Sequence, residues 1–230
     1  MAGKRPEVEH TKNRFLREVA SARGLVSAIT SIPQQVHPNS PAGLHPKHVR
    51  QVVELAFMGL VASWEEFLEL SLVRYVAGGN TGSGYKPVPK FGLANDIAHA
   101  YELLSRDPTY NPLKHYLKVT DIKWVRNSAD FFFQTHTFSS LVTKTDLMSN
   151  ATSIRNRVAH SSIKCRADFK ASVIYFISPA GGKLKQGYTP GDLLLSTAVR
   201  HFGPAVIAKK VSHFEAYAML YEELAQKIVP

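Results

Sequence analysis

The sequence predicts a mainly α fold, and three observations carry that prediction. Apolar residues recur at three- and four-residue steps over most of the chain. Prolines and glycines gather between those stretches more than within them. A hydrophobic content of 44% in 230 residues supplies one substantial core and would leave a second independent domain cramped. One domain over residues 1–230 is expected, with residues 1–8 as a flexible tail.

The first helix is expected from Val8 to Ile32, where Phe15, Leu16, Val19, Ala22, Leu25, Val26 and Ile29 mark an apolar stripe. Pro33 ends it, and the proline-rich stretch to Pro46 is a connection. A long second helix then runs to about Val76. Its wide stripe (Val49, Val53, Phe57, Leu60, Trp64, Phe67, Leu68, Leu72, Tyr75 among others) predicts a central position in a bundle, and Gly78–Gly79 stop it. Residues 80–90 read as a loop and Leu93–Ser105 as a shorter helix.

The region Tyr110–Phe138 reads as short helix and loop, with Phe131, Phe132 and Phe133 as a core cluster. From Phe138 to about Phe169 the helical period returns. Ser172–Ile177 (SVIYFI) is β-branched and aromatic, and predicts a strand paired with Lys183–Tyr188 in a small β-hairpin. Thr189-Pro190-Gly191-Asp192 has the chemistry of a helix start, with helix to Phe202. A last helix spans about Ala208 to Ile228, with Val211, Phe214, Met219, Leu220 and Leu224 inward.

Charge narrows the functional classes. Twenty-eight Lys+Arg stand against 18 Asp+Glu, a net +10, which favours contact with polyanions without specifying one. The single cysteine, Cys165, excludes an internal disulfide framework and a multi-cysteine zinc site; it reads as a half-buried small residue. No secretory leader pattern and no apolar run of bilayer length is present, so a cytoplasmic location away from membranes is expected.

The segment Ser149–Ser162, SNATSIRNRVAHSS, carries the most chemistry. Asn156 and His160, four apart, are neighbours on a helix, so the Asn156 amide is expected to orient the His160 imidazole. Arg155, five residues before His160, does not share its face on a straight helix, so its side chain must reach round or the helix must bend or end near the motif. Arg157 adds charge nearby. Histidine exchanges protons near neutrality and arginine stabilises charge on a phosphate, the two needs of RNA cleavage in which the ribose 2′-OH is the nucleophile. A second acid–base group is missing from one chain; a two-fold dimer would supply it. The spacing alone equally suits a surface arginine with a capping or core histidine, and Arg5 and His10 repeat it within the tail.

SIRNRVAHSS resembles the motif of the HEPN family, in which Arg is followed by a polar residue and, a few positions later, by His. Leu60–Val76 (LVASWEEFLELSLVRYV) resembles the first core helix of the RiboL-PSP-HEPN-like branch, and the two segments come in the family's order. The resemblance implies a HEPN-like helical bundle with the hairpin as an insertion, forming a homodimer whose paired motifs line a cleft. It implies a metal-independent endoribonuclease with RNA as partner, no cofactor and no metal. Arg155, Asn156 and His160 carry over as catalytic residues, and the acid of the second helix maps onto Glu65, with Glu66 the poorer match. Family members serve in toxin–antitoxin, anti-phage and RNA-processing systems, which implies a cognate antitoxin or defence-system protein. Inactive members that only bind RNA or protein form the alternative.

Other features weigh less. His37, His45 and His48 lack a carboxylate or cysteine at ligand spacing. Gly181-Gly182-Lys183 lacks the glycine spacing of a phosphate loop and reads as a turn. Trp124 with Arg126, and Tyr110 with Lys114, His115 and Lys118, form a basic–aromatic stretch able to stack or steer RNA; buried aromatics with exposed lysines explain it as well.

Overall fold

A computed structural model describes residues 7–35, 43–178 and 184–230. The chain is mainly α, with helices α1 (Glu9–Ser31), α2 (Pro46–Val76), α3 (Ile97–Ser105), α4 (Ile122–Phe132), α5 (Thr145–Ala159), α6 (Ile163–Ile177), α7 (Pro190–Leu195), α8 (Pro204–Ala208) and α9 (His213–Ile228). A 3₁₀ stretch, Thr137–Lys144, precedes α5. Two short strands, β1 (Val88–Pro89) and β2 (Phe133–Thr135), pair antiparallel, with Val88 opposite Thr135. Among the described residues no helix is long and apolar enough to cross a membrane.

The chain divides into two compact units. The first comprises Met1–Arg17, Ser63–Thr145 and Glu222–Pro230. Its core forms where Phe15 lies against Phe67 (ring centres 5.2 Å apart) and Trp64 (5.5 Å). Tyr75 is wholly buried, edge-on to Phe138, and its hydroxyl donates to the Ile228 carbonyl at 3.0 Å. That bond satisfies a phenol buried in an apolar setting, where burial suppresses its ionisation. Val8 is fully buried and Glu7 bridges to Asn80, so the expected tail is already anchored at these two residues. The rest of the proposed tail, residues 1–6, lies outside the described residues.

The second unit comprises Glu18–Ala62 and Asp146–Tyr221. Tyr217 is its hub: Phe57 and Phe202 meet the ring edge-on at 5.2 and 5.0 Å, and the hydroxyl donates to the Leu147 carbonyl at 3.0 Å. The expected helix start at Thr189 is a complete capping box, with the Asp192 N–H donating to Thr189 Oγ1 and the Thr189 N–H donating to Asp192 Oδ2. Gly191 is required there: a Cβ would stand 2.6 Å from the Arg50 Cβ and 2.8 Å from its carbonyl oxygen. Arg50 pairs with Asp192 at 3.2 Å, and the Gly191 N–H donates to Glu54 at 2.8 Å.

Several expectations need correction. SVIYFI is not a strand but the last turns of α6, where Phe169, Ser172, Val173 and Phe176 recur at helical spacing and are buried. Packing on that face overrides the local β preference. The two-stranded pairing lies instead at β1 and β2; of the expected partner strand, Lys183 falls outside the described residues, as do His37 and Gly181–Gly182. Of the three phenylalanines at 131–133 only Phe133 is core, while Phe131 is exposed. The helix expected to reach Phe202 stops at Leu195, because the Ala198 N–H turns to the Val211 carbonyl at 2.8 Å. The C-terminal half of α1 carries its apolar stripe half-exposed, with Leu25 at 49%.

His213, buried at the start of α9, predicts a pH dependence. Its Nδ1 lies 2.9 Å from the Ser196 carbonyl and Phe176 packs edge-on at 5.1 Å, while Nε2 is buried without a partner. Burial lowers its pKa below the usual histidine range, although the bonds to backbone carbonyls oppose the shift. A depressed pKa means the folded chain resists protonation, so this stabilisation is complete above the unfolded value of about 6.5 and is lost as pH falls through the lower folded value. Melting temperature should therefore fall on acidification from about pH 7.5 to 5, and fall less in His213→Gln. Parallel profiles for the two proteins would contradict this account.

Candidate functional site

The predicted motif occupies the end of α5 and the turn into α6, all within the second unit. α5 is held inward by Leu147, Met148, Ala151 and Ile154. Its last α-type bond runs from the His160 N–H to the Asn156 carbonyl at 2.9 Å. The helix thus ends beside the histidine, one of the three arrangements that the Arg155–His160 spacing leaves open. Ser162 then caps α6, its hydroxyl accepting the Cys165 N–H at 3.2 Å. A three-residue connection remains, with His160, Ser161 and Ser162 all exposed.

Arginines gather round this connection. Arg157 Nη1 donates to the His160 carbonyl at 3.3 Å, and Arg166 Nε donates to the Ser161 carbonyl at 3.0 Å. Both bonds satisfy carbonyls that the chain leaves without helical partners as it exits α5. Among the described residues neither guanidinium is paired with a carboxylate, and each has further N–H donors beyond the one that holds the turn. Arg155 Nη1 donates to Asn156 Oδ1 at 3.0 Å. Among the described residues the expected bond between Asn156 and the His160 imidazole is not made, and the Asn156 oxygen takes the charged donor beside it.

Glu65 sits, half-buried, on the part of α2 that belongs to the first unit. Glu66 is committed to an exposed ion pair with Arg14 at 3.0 Å. One turn further, Glu69 accepts the Tyr101 hydroxyl at 2.9 Å; burial raises its pKa and the hydrogen bond opposes that rise. The sequence reading missed Arg166. Its signal was available: an arginine in the first turn of a helix begun by Ser162 can fold back over the preceding turn. His45 and His48 lie edge to face at 5.9 Å, and among the described residues no group of three or more His, Cys, Asp or Glu is placed to hold a metal ion.

The fold and the turn define a helical protein with an exposed histidine between two backbone-tethered arginines. No family model matches the chain, and neither a curated protein nor a solved structure matches it.

The Ser162 cap is testable separately from any chemistry. Ser162→Ala should cost about 1 kcal/mol, as caps of this type do, and lower the melting temperature by a few degrees without unfolding the chain. An unchanged melting temperature would show that α6 does not depend on it.

Proposed function

We propose that this protein is a metal-independent endoribonuclease of HEPN type, acting as a homodimer on RNA. The observation that carries the reading is the exposed His160 at the end of α5, with the Arg157 guanidinium held on the His160 carbonyl and that of Arg166 on the Ser161 carbonyl. His160 takes the proton from a ribose 2′-OH, and that oxygen attacks the adjacent phosphorus. The P–O5′ bond breaks, and the leaving 5′-oxygen takes a proton from the same histidine of a second copy. The products are a 2′,3′-cyclic phosphate and a 5′-OH. The arginines stabilise the charge gathering on the phosphoryl oxygens. Asn156 holds the Arg155 guanidinium, and so serves as a positioning residue in this scheme. Glu65 is proposed as the acid of the second helix on the resemblance alone.

The second copy is proposed on the resemblance and on the need for a second acid–base group beside His160. On the same reading the chain works in a toxin–antitoxin or anti-phage system in the cytoplasm and meets a cognate antitoxin or defence-system protein. One observation favours a second reading, an inactive RNA- or protein-binding module: among the described residues the His160 ring has no hydrogen-bond partner to fix its tautomer.

The deciding measurement is cleavage of a labelled total-RNA pool in excess EDTA. The parent should cut and leave 2′,3′-cyclic ends, while His160→Ala should lose about two to four orders of magnitude in rate. Arg157→Ala and Arg166→Ala should each weaken cleavage by about tenfold or more, with RNA binding at lower affinity. Equal cleavage by parent and His160→Ala would refute the nuclease mechanism, and RNA binding without cleavage would establish the binding module.

A further inference from the structure

Between α3 and α4, within the first unit, lies a cavity of about 700 Å³, a size typical of small-ligand sites. Trp124, Phe131, Phe132 and Leu103 give it apolar and aromatic walls, while Glu102 and Asn127 place polar groups among them. A neighbouring cavity of about 440 Å³ is lined by Tyr116, His115 and Lys118. Trp124 lines both cavities, and so does Arg106. We propose that these adjoining cavities bind single-stranded RNA, with successive bases on either side of Trp124 and the backbone held by Arg106 and Lys118. This inference rests on RNA being the ligand, as proposed above.

Four features fit this occupant. Aromatic walls with a few polar groups suit nucleobases, whose faces stack and whose edges hydrogen-bond. Asn127, whose oxygen also accepts from Arg126 at 3.4 Å, offers amide N–H donors, and the Glu102 carboxylate accepts from exocyclic amino groups. Each cavity also holds a histidine whose Nδ1 is occupied. The Asn95 N–H donates to His99 at 3.2 Å and the Asn111 N–H to His115 at 3.1 Å, so each neutral ring carries its proton on Nε2, as a donor.

The fourth feature is charge. The segment Arg106–Arg126 carries Arg106, Lys114, Lys118, Lys123 and Arg126 against Asp107 and Asp121, a local excess of three positive charges. Arg106 stands in the left-handed conformation at the end of α3, exposed, with no ion pair or side-chain hydrogen bond among the described residues. Asp107, the carboxylate shared by the cavities, is turned to the Thr109 N–H and hydroxyl at 2.8 and 2.7 Å. Tyr116, 92% exposed, adds a ring that ordinary folding leaves in water. Positive charge at the rim and aromatic rings within favour a nucleic acid over an apolar peptide.

The test uses the His160→Ala chain, so that RNA stays intact whatever the fate of the nuclease reading. A labelled mixed-sequence single strand of about 12 nucleotides is titrated by anisotropy and by intrinsic fluorescence. The chain has two tryptophans, and Trp64 is 2% exposed, so quenching reports Trp124. Saturable quenching is expected, with a duplex of the same sequence bound at least about tenfold more weakly because its bases stay stacked. Trp124→Ala should weaken binding by about tenfold or more, and Trp124→Phe should restore most of it. Arg106→Ala should reduce the salt slope by about 0.7, the loss of one phosphate contact on a single strand.

Binding that is unchanged in both Trp124→Ala and Arg106→Ala, equal binding of duplex, or no RNA binding at all overturns the proposal. Should Trp124→Ala lose its helical circular dichroism, Arg106→Ala and Trp124→Phe decide alone. The two readings separate cleanly. Cleavage by the parent that survives Trp124→Ala with unchanged KM keeps the nuclease and removes the cleft. Trp124-dependent binding by a chain that never cleaves keeps the cleft and removes the nuclease.

Discussion

Burial along α2 is the constraint on which the rest depends. Thirty-one residues form one helix, and its inward positions run from Val49 through Phe57, Trp64 and Leu68 to Val76 at three- and four-residue steps. Each large side chain removed from water contributes about 1.5–3 kcal/mol, so this one helix supplies a large share of the apolar burial among the described residues. Its N-terminal part gives the second unit Phe57, set against Tyr217 and Phe214. Its C-terminal part gives the first unit Trp64, Phe67 and Tyr75. A helix so covered must be satisfied at its ends. The Gly78 and Gly79 N–H groups close the last turn onto Tyr75 and Arg74 carbonyls, with Gly78 at φ 81°, where a side chain would be strained. Near the start, Arg50 and Glu54 take the polar groups of the α7 cap.

The same logic explains why an exposed turn can be well defined. On one side α5 is fixed by Ile154 in the core and by the Tyr217 hydroxyl on the Leu147 carbonyl; on the other, α6 is fixed by Phe169, Val173 and Phe176. Between two anchored helices, His160 to Ser162 have little freedom left. Ser162 satisfies one amide of the incoming helix, while Arg157 and Arg166 satisfy carbonyls of the outgoing one. A reactive side chain on the end of a packed helix is placed more reproducibly than one on a long loop.

What the sequence made legible follows from range of interaction. Local chemistry was readable: the α2 stripe, the glycine stop at 78–79, and Thr189-Pro-Gly-Asp as a helix start all depend on neighbours within four residues. SVIYFI misled because its residues prefer strand in isolation, and only Tyr217, Phe202 and His213 around Phe176 make a helical face worthwhile. Phe131 to Phe133 could not be sorted without knowing that β2 turns Phe133 inward at the end of α4. At the site, the spacing left open whether Arg155 reaches round, the helix bends or it ends, and α5 ends at Ala159. The Asn156 partner was not legible either, since it depends on where the helix stops, and helix ends are the least legible feature of a sequence. The relation of Glu65 to that turn rests on resemblance and has no local signature.

Net charge says little about where an anion would sit, and pre-organisation says more. Most surface cations pay side-chain entropy on binding a phosphate, because a lysine or arginine head samples many positions in water. Arg157 and Arg166 have surrendered part of that freedom already, each held by a backbone carbonyl of the turn. Arg14, Arg23 and Arg50 are held too, but by carboxylates that cancel their charge. A guanidinium tethered through a carbonyl stays positive and keeps its other donors, so it meets a phosphate both oriented and uncompensated. The five N–H donors of arginine make this division of labour possible; lysine, with a single rotating head group, could not hold the turn and present a planar fork at once. On the proposed reading, the identity of those two cations would matter more to phosphate binding than the overall excess of ten.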